Sequence, residues 1–488
     1  MINLYTREQI RELERRAVAE FHLSSDLLMQ RAGEAAFTLL RRCWPEAKRL
    51  TVVCGPGNNG GDGWVVARLA QEAQLKVTVV VVSAAPPAVA VAAAAAAYLR
   101  TAGVECTSAL EAIAAPTDLL VDALFDIGIN RAVSGHWRAV IEAINGAAAP
   151  VLALDIPSGL SSDSGRPLGC AVNADRTITF IGHKQGFYTG LGRDYCGEIH
   201  LATLDLPAEL YRSLTITTQL LHYEDAVAWL PQRLASAHKG DHGHVLVVGG
   251  DHGMLGAVRI AGEAALRVGA GLVSVATRRD HAALIAAHCP ELMCHGVERA
   301  TELTPLLARA TVVVIGPGLG RSAWGQALLT ALFATALPLI VDADGLNLLA
   351  QNPCIRDNWI ITPHPGEAGR LLQMEAAAVE GDRFAAVMRL AQRYGGVAVL
   401  KGAGTLVKGC TGPLSVCGHG NPGMAVAGMG DLLSGVLGGL VAQGMALHPA
   451  ALTGVLLHSA AADRVAQKGM KGILASDLLP VVRELVNR

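Results

Sequence analysis

The stretch Asn421–Gly435, NPGMAVAGMGDLLSG, decides how this chain is to be read. An apolar run closes on Gly428-Met429-Gly430, meets Asp431 and continues as LLSGVLGGLVAQGM, a helical pattern. Small residues leave the amides of the first helical turn bare, and bare N–H groups at a helix start form an anion site. Glycine also allows the close approach that such a turn needs. A carboxylate beside an anion hole is equipped to take a proton from a hydroxyl while the amides hold the phosphoryl group under attack. The same pattern also fits an Asp that only caps a glycine-rich helix. Upstream, Val397–Val407, VAVLKGAGTLV, reads as a buried strand running into Lys401-Gly402-Ala403-Gly404-Thr405.

At 488 residues the chain is too long for one ordinary domain. Apolar residues make up 51%, aromatic residues only 4%, and glycine numbers 54, which suits parallel sheets wrapped by small-residue helices. With a net charge of −2, no basic footprint points to nucleic acid or to an anionic membrane. Ten cysteines without a CxxC spacing read as reduced intracellular thiols. The charged amphipathic start REQIRELERRAVAEF lacks the apolar core of a secretory signal. The apolar run Val77–Leu99 is long enough to span a bilayer, but Pro86-Pro87 breaks it, so strand, turn and Ala-rich helix are expected. A soluble, cytoplasmic chain is expected, with neither nucleic acid nor membrane as partner.

In the first half, residues 7–42 predict two helices. Leu50–Cys54 predicts a strand, Gly55–Gly63 (GPGNNGGDG) a glycine loop, WVVARLAQEA a helix and Lys76–Val82 a second strand. Gly55, Gly57 and Gly60 formally satisfy GxGxxG, yet the second strand ends Val82-Ser83-Ala84 without the acidic residue of a dinucleotide fingerprint. That disfavours an ordinary NAD-dependent dehydrogenase. Two later strands end in acids: LLVDALF carries Asp122 and leads into Asp126–Ala132, and VLALD ends at Asp155 before Ile156-Pro157-Ser158-Gly159. Each acid alone also fits a turn or helix cap. In an open parallel sheet the glycine loop, Asp122 and Asp155 would converge outside the carboxyl ends of the strands.

The junction between halves is expected within Tyr211–Thr217. HKGDHGHVLVVGG, from His238 to Gly250, opens a new strand; its three histidines have poor metal spacing and read as loop residues. Strand Thr311–Ile315 ends in GPGLG, Gly316–Gly320, which lacks the GK[ST] ending of a Walker loop. Strand Leu339–Val341 ends at Asp342-Ala343-Asp344, whose acids read as turn and cap residues. Strand Trp359–Thr362 ends in PHPGE, and prolines on both sides of His364 favour binding over core packing.

NNGGDG, DALF and DIPSG, in that order, resemble the NAD(P)H-hydrate epimerase family over about the first 210 residues. The resemblance implies a Rossmann-like fold and interconversion of the R and S hydrates at C6 of the damaged nicotinamide ring. It assigns Asn58, Asn59, Gly60, Gly61, Asp62, Asp126, Ile127, Gly128, Ile129, Asn130, Arg131 and Ala132 to the hydrate. Asp155 would bind substrate and carry proton chemistry, and Asn59, Asp122 and Ser158 would supply oxygens to a potassium ion, whose hardness suits them. Where the family has DALFG this chain has DALFD, which puts the Asp126 carboxylate in a phosphate-facing loop. Lys184, at a lysine position of the family, either offsets that charge or lies on the surface.

HKGDHGHVLVVGG, VIGPGLG, DADGLNLL, TPHPGE, VLKGAGTLV and NPGMAVAGMGDLLSG are similar, in order, to the ADP-dependent NAD(P)H-hydrate dehydratase family across residues 225–488. This implies a ribokinase-like fold, with Ala257, Gly318, His364 and Asp431 on the hydrate. Lys401, Gly402, Ala403, Gly404, Thr405 and Gly430 would hold the nucleotide, with ADP as co-substrate and Mg2+ beside it. With Asp431 as base, phosphorylation of the hydrate's hydroxyl makes a leaving group whose loss restores the double bond and yields AMP and phosphate. The expectation is an α/β chain of two domains, 1–215 Rossmann-like and 220–488 ribokinase-like, that repairs hydrated NADH and NADPH and forms a homo-oligomer. A vitamin-type small-molecule kinase fused to a nucleotide-binding domain shares the GxGD pattern. Epimerase-like domains also occur in RNA-decapping scaffolds, against which the near-neutral charge and intact first-half acids argue.

Overall fold

Val52, Val53, Leu120 and Val121 are inaccessible on both faces of their strands, as a parallel sheet covered by helices on both sides requires. The computed structural model describes residues 1–82 and 87–487. These four belong to the first of two units, Asn3–Thr218; the second runs from Gln219 onward and takes in Met1–Ile2. The main sheet of the first unit is parallel throughout, in the order Glu105–Thr107, Lys76–Val81, Arg49–Cys54, Leu119–Ala123, Val151–Leu154, Arg176–Phe180, Glu198–Ala202. The order reverses between Arg49–Cys54 and Leu119–Ala123, the switch point at which a Rossmann-like sheet opens a crevice. There Val53 lies opposite Asp122 and Cys54 opposite Ala123.

The expected glycine loop is shorter than the sequence indicated. The helix begins at Asn58, not Trp64, and runs to Glu72, so Asn58–Gly63 form its opening turns. A side chain at position 60 would put its Cβ 1.9 Å from the Gly55 carbonyl oxygen, so only glycine lets the helix start this close to the strand end. The apolar run is divided between strand Lys76–Val81 and helix Ala90–Thr101. Ser83, Ala84 and Pro86, where the strand end and the break were expected, lie outside the described residues. Among the described residues no helix is long and apolar enough to cross a membrane.

The sheet of the second unit follows the same logic. Met293–Gly296, Leu272–Thr277, His244–Val248, Val312–Ile315, Leu339–Val341, Trp359–Ile361 and Val397–Leu400 lie parallel in that order, and Leu406–Lys408 and Leu414–Cys417 add antiparallel strands. His244 is a strand residue, not a loop residue: its buried ring meets Ser274 Oγ at 2.8 Å. The helix of the opening stretch spans Met429–Ala442 and is buried continuously from Leu432. It packs on helix Leu255–Val268 through Gly435, where an added Cβ would fall 2.0 Å from the Ala261 carbonyl oxygen. Small residues therefore set how near the two helices come.

Candidate functional site

Two clusters of buried acids form, one at the carboxyl edge of each sheet. In the first unit, a pocket of about 410 Å³ is lined by Arg11, Glu14, Asn58, Asp62, Asp126 and Asp155, among others. Asp155 sits just past its strand in the left-handed region, φ 62°, which Asp tolerates better than most residues. Lys184 is fully buried; its ammonium donates to Asp155 Oδ1, to Thr179 Oγ1 at 2.7 Å and to the Phe180 carbonyl at 3.0 Å. Lys184 is thus not a surface residue, and its partner is Asp155, not Asp126. Asp126 Oδ1 instead accepts the Gly128 N–H at 2.6 Å and closes its own turn. Burial pushes the Asp62 carboxyl well above the usual range, with the charges of Asp155, Glu14 and Asp126 adding to the effect. Glu14, at the pocket mouth, is pushed up to about 7, by desolvation and then by Asp155.

Beneath this pocket lies a cluster of oxygens. Asn59 Nδ2 donates to the Phe125 carbonyl at 2.7 Å, which leaves Asn59 Oδ1 buried without a hydrogen-bond partner. Asp122, wholly buried, accepts from Ser158 Oγ at 2.6 Å and from Ser158 N at 2.8 Å. Burial pushes Asp122 up to about 6 despite those bonds. An orphaned buried oxygen and a desolvated carboxyl are both relieved by a hard monovalent cation, so the residues fit the potassium assignment. The Asp126–Ala132 segment does not act as one block. Asp126 and Ile127 line the Asp155 pocket, whereas Gly128–Ala132 border a separate cavity of about 550 Å³ beside Trp137.

In the second unit, Gly428 is the residue before the helix, at φ 90°, and offers no side chain to cap it. The amides of Met429, Gly430 and Asp431 therefore start the helix without intrahelical acceptors. Asp431 is the third helical residue, so it does not occupy the N-cap position. Its carboxyl is pushed up to about 6, by burial and then by the Asp342 charge, with Lys401 opposing. Lys401 Nζ lies 2.6 Å from Asp342 Oδ1 and 3.8 Å from Glu367 Oε2. Asp342 stands at the N-cap of helix Ala343–Gln351, as expected, but its side chain makes no cap hydrogen bond: it is fully buried, and its other oxygen accepts from Ser434 Oγ at 2.8 Å. Glu367, also buried, is pushed up to about 7, first by desolvation.

His364 neither packs in the core nor points a free Nδ1 at a ligand. That nitrogen accepts the Gly366 N–H at 3.0 Å and caps helix Pro365–Leu372, while the ring stays exposed with Nε2 3.5 Å from Glu367. Ala257 and Gly318 do come together; a Cβ on Gly318 would lie 3.2 Å from that of Ala257. Ile260, on the same helix, reaches Gly428. In Lys401–Thr405 the ammonium is committed to Asp342. Arg383, buried, donates to the carbonyls of Leu400 and Lys401 at 3.3 and 3.2 Å and fixes that turn from below. The sequence reading missed Glu14, Glu367 and Arg383 as site residues. Of these only Glu367 carried a signal, its place in TPHPGE.

The two edges define a class: a two-domain α/β enzyme with one acid-lined site per sheet, the second built for phosphoryl chemistry. A family model described as NAD(P)H-hydrate dehydratase matches residues 245–483, and one described as YjeF-related protein N-terminus matches residues 25–186. The bifunctional NAD(P)H-hydrate repair enzyme of Coxiella burnetii is 51% identical over all of both chains. That of Escherichia coli is 45% identical over 98% of this chain and 93% of its own. The chain belongs to the family of bifunctional NAD(P)H-hydrate repair enzymes. Among solved structures, the ADP/ATP-dependent NAD(P)H-hydrate dehydratase of Bacillus subtilis, co-crystallised with ATP and Mg2+, is similar at 29% identity and TM-score 0.51 over 55% of this chain and 97% of that one. A ribokinase-like protein of Enterococcus faecalis matches at 29% identity and TM-score 0.52, over 55% of this chain and 95% of that one. The second unit is ribokinase-like.

Proposed function

We infer that the first unit epimerises the R and S hydrates of NADH and NADPH and that the second dehydrates the S form with ADP. The observation that carries the second activity is Asp431: a carboxyl raised to about 6 beside bare helix-start amides. As carboxylate it accepts the proton of the C6 hydroxyl. The oxygen attacks the terminal phosphoryl of ADP, held by the amides of Met429–Asp431. The C6–O bond of the resulting phosphate ester then breaks, a proton leaves C5, and the double bond returns with AMP and phosphate as products. Asp342 and Lys401 act on the charge of the base in opposite directions. Mg2+ is assigned to the nucleotide phosphates and water, since among the described residues no trio of ligating side chains gathers at Asp431.

In the first unit, Lys184 donates to Asp155, and burial pushes the Asp62 carboxyl well above its usual range. Two carboxyls in such different settings, one paired with an ammonium and one desolvated, suit a reaction that needs both a base and an acid. C6 of the hydrate bears the hydroxyl and the ring nitrogen. Removal of the hydroxyl proton opens the C6–N bond to an aldehyde, the nitrogen takes a proton, and reclosure on the other face inverts C6. Asn59, Asp122 and Ser158 would hold potassium, whose charge steadies substrate phosphate beside them. Substrate contacts are assigned to Asn58–Asp62 and Asp126–Ala132 in the first unit and to Ala257, Gly318 and His364 in the second. Localisation is proposed as cytoplasmic and assembly as a homo-oligomer. The test is product analysis from purified R and S hydrates: AMP, phosphate and reduced nicotinamide in equal amounts support the reading, and a stable phosphorylated hydrate would identify a kinase instead.

A further inference from the structure

Near the Ala257–Gly318 wall, three side chains converge that neither proposed activity uses. Strand His244–Val248 leads into the connection Gly249–Met254, and its parallel neighbour Leu272–Thr277 leads into helix Arg279–His288. His252 comes from the connection, Asp280 and His281 from the first turn of the helix. One ligating atom of each lies within 4.8 Å of the others. The two imidazole rings meet edge to face with centroids 5.6 Å apart, and His252 Nδ1 stands 3.7 Å from the Asp280 carboxylate.

The setting of His281 is an independent observation. Its ring is buried, and Nδ1 lies 3.0 Å from the Gly250 carbonyl oxygen. A carbonyl only accepts, so Nδ1 carries the proton and Nε2 presents a lone pair. Metal-binding histidines are oriented in this way, by a backbone carbonyl on the ring nitrogen that does not ligate.

We propose that His252, Asp280 and His281 bind a divalent transition metal ion of the zinc class. Two neutral imidazoles and one carboxylate match its ligand preferences and leave a fourth position for water. Mg2+, which takes oxygen ligands in octahedral geometry, fits poorly. Bonds of about 2.0–2.2 Å bring the ligand atoms closer than they now stand, and the exposed His252 and Asp280 side chains are free to draw in toward the fixed His281. The helix start opposes a cation through its partial positive charge, and the Asp280 carboxylate offsets that. The bound ion ties the Gly249–Met254 connection to the helix. That same connection donates the Asp251 N–H to the Gly318 carbonyl at 2.6 Å, so the tether reaches the wall assigned to the hydrate.

The full chain, stripped with a chelator, is titrated with Zn2+ against a chromophoric competitor, and with Co2+ read by visible absorption. The expected result is one ion per chain, with Co2+ bands of a four- or five-coordinate site. His252→Ala and Asp280→Asn each weaken Zn2+ binding at least tenfold, with the unfolding midpoint of the metal-free protein unchanged. The double variant His238→Ala/His242→Ala, in the histidine-rich segment before the first strand, leaves binding intact. Absence of binding, affinity unaltered in His252→Ala and Asp280→Asn, or affinity lost in the His238/His242 variant overturns the proposal.

Discussion

Lys401 and Asp342 form an ion pair, Nζ to Oδ1 2.6 Å, directly under the glycine turn that opens the Asp431 helix. A Cβ built on Gly430 would lie 3.3 Å from both Lys401 Nζ and Asp342 Oδ2. The pair therefore packs against the turn and supplies the two charges that act on Asp431 in opposite directions.

Lys401→Met leaves Asp342 buried without its cation. Breaking one side of a buried pair costs about 3–5 kcal/mol, so denaturant unfolding is expected to show a loss in that range. The Lys401→Met/Asp342→Asn double variant is expected to recover part of it. Unfolding free energies equal to wild type in the single variant would mean that Asp342 is solvated.

The pH dependence of dehydration follows from the same charges. A base works only when deprotonated, so the rate rises with pH through about 6, the value set for Asp431 by burial and Asp342. Lys401 lowers that value, and Lys401→Met moves the acid limb of kcat/KM to higher pH in whatever activity remains. An acid limb that stays in place in the variant would detach Lys401 from the base.

How much of this was legible in the sequence differs between the two edges. Asp431, Asp122 and Asp155 stand out in the sequence because each interrupts an apolar stretch at the end of a strand or start of a helix, where a buried charge has no structural need. Lys184 and Asp342 were undervalued because a single residue gives no sign of its partner: Asp342 meets Lys401 across 59 positions and Lys184 meets Asp155 across 29. The helix at Asn58 was placed too late because glycine argues locally for a loop. Packing against the Gly55 carbonyl overrides that preference.

Potassium is expected to act on the first unit alone. Asp122→Ala, or lithium in place of potassium, is expected to lower epimerisation at least tenfold and leave dehydration of pure S hydrate unchanged. The Asp122 carboxyl is raised from 3.8 to about 6, so without the ion the fold loses stability as pH climbs through that window. Potassium needs the carboxylate, and its thermal stabilisation is therefore expected above about pH 6 and absent well below it. Thermal shifts with and without potassium, across pH, check the sign.

Each unit has its own set of parallel strands and its own buried core, and the chain divides at Thr218/Gln219 apart from Met1–Ile2, which group with the second unit. Fragments 1–218 and 219–488 are expected to fold separately, the first retaining epimerisation and the second dehydration. Sedimentation and activity of the isolated fragments measure this. Aggregated or inactive fragments, under conditions where the full chain works, would move the boundary.

The most direct measurement is the rate of S-hydrate dehydration by Asp431→Asn. The amide keeps the size of the side chain but does not accept the hydroxyl proton. A positioned general base contributes about 10²–10⁴-fold, so dehydration and AMP formation are expected to fall together by that factor. Epimerisation in the same protein is expected to be unchanged, and the thermal midpoint is expected not to fall, since Asn removes a charge that burial and Asp342 disfavour. Dehydration by Asp431→Asn at near wild-type rate would contradict the account.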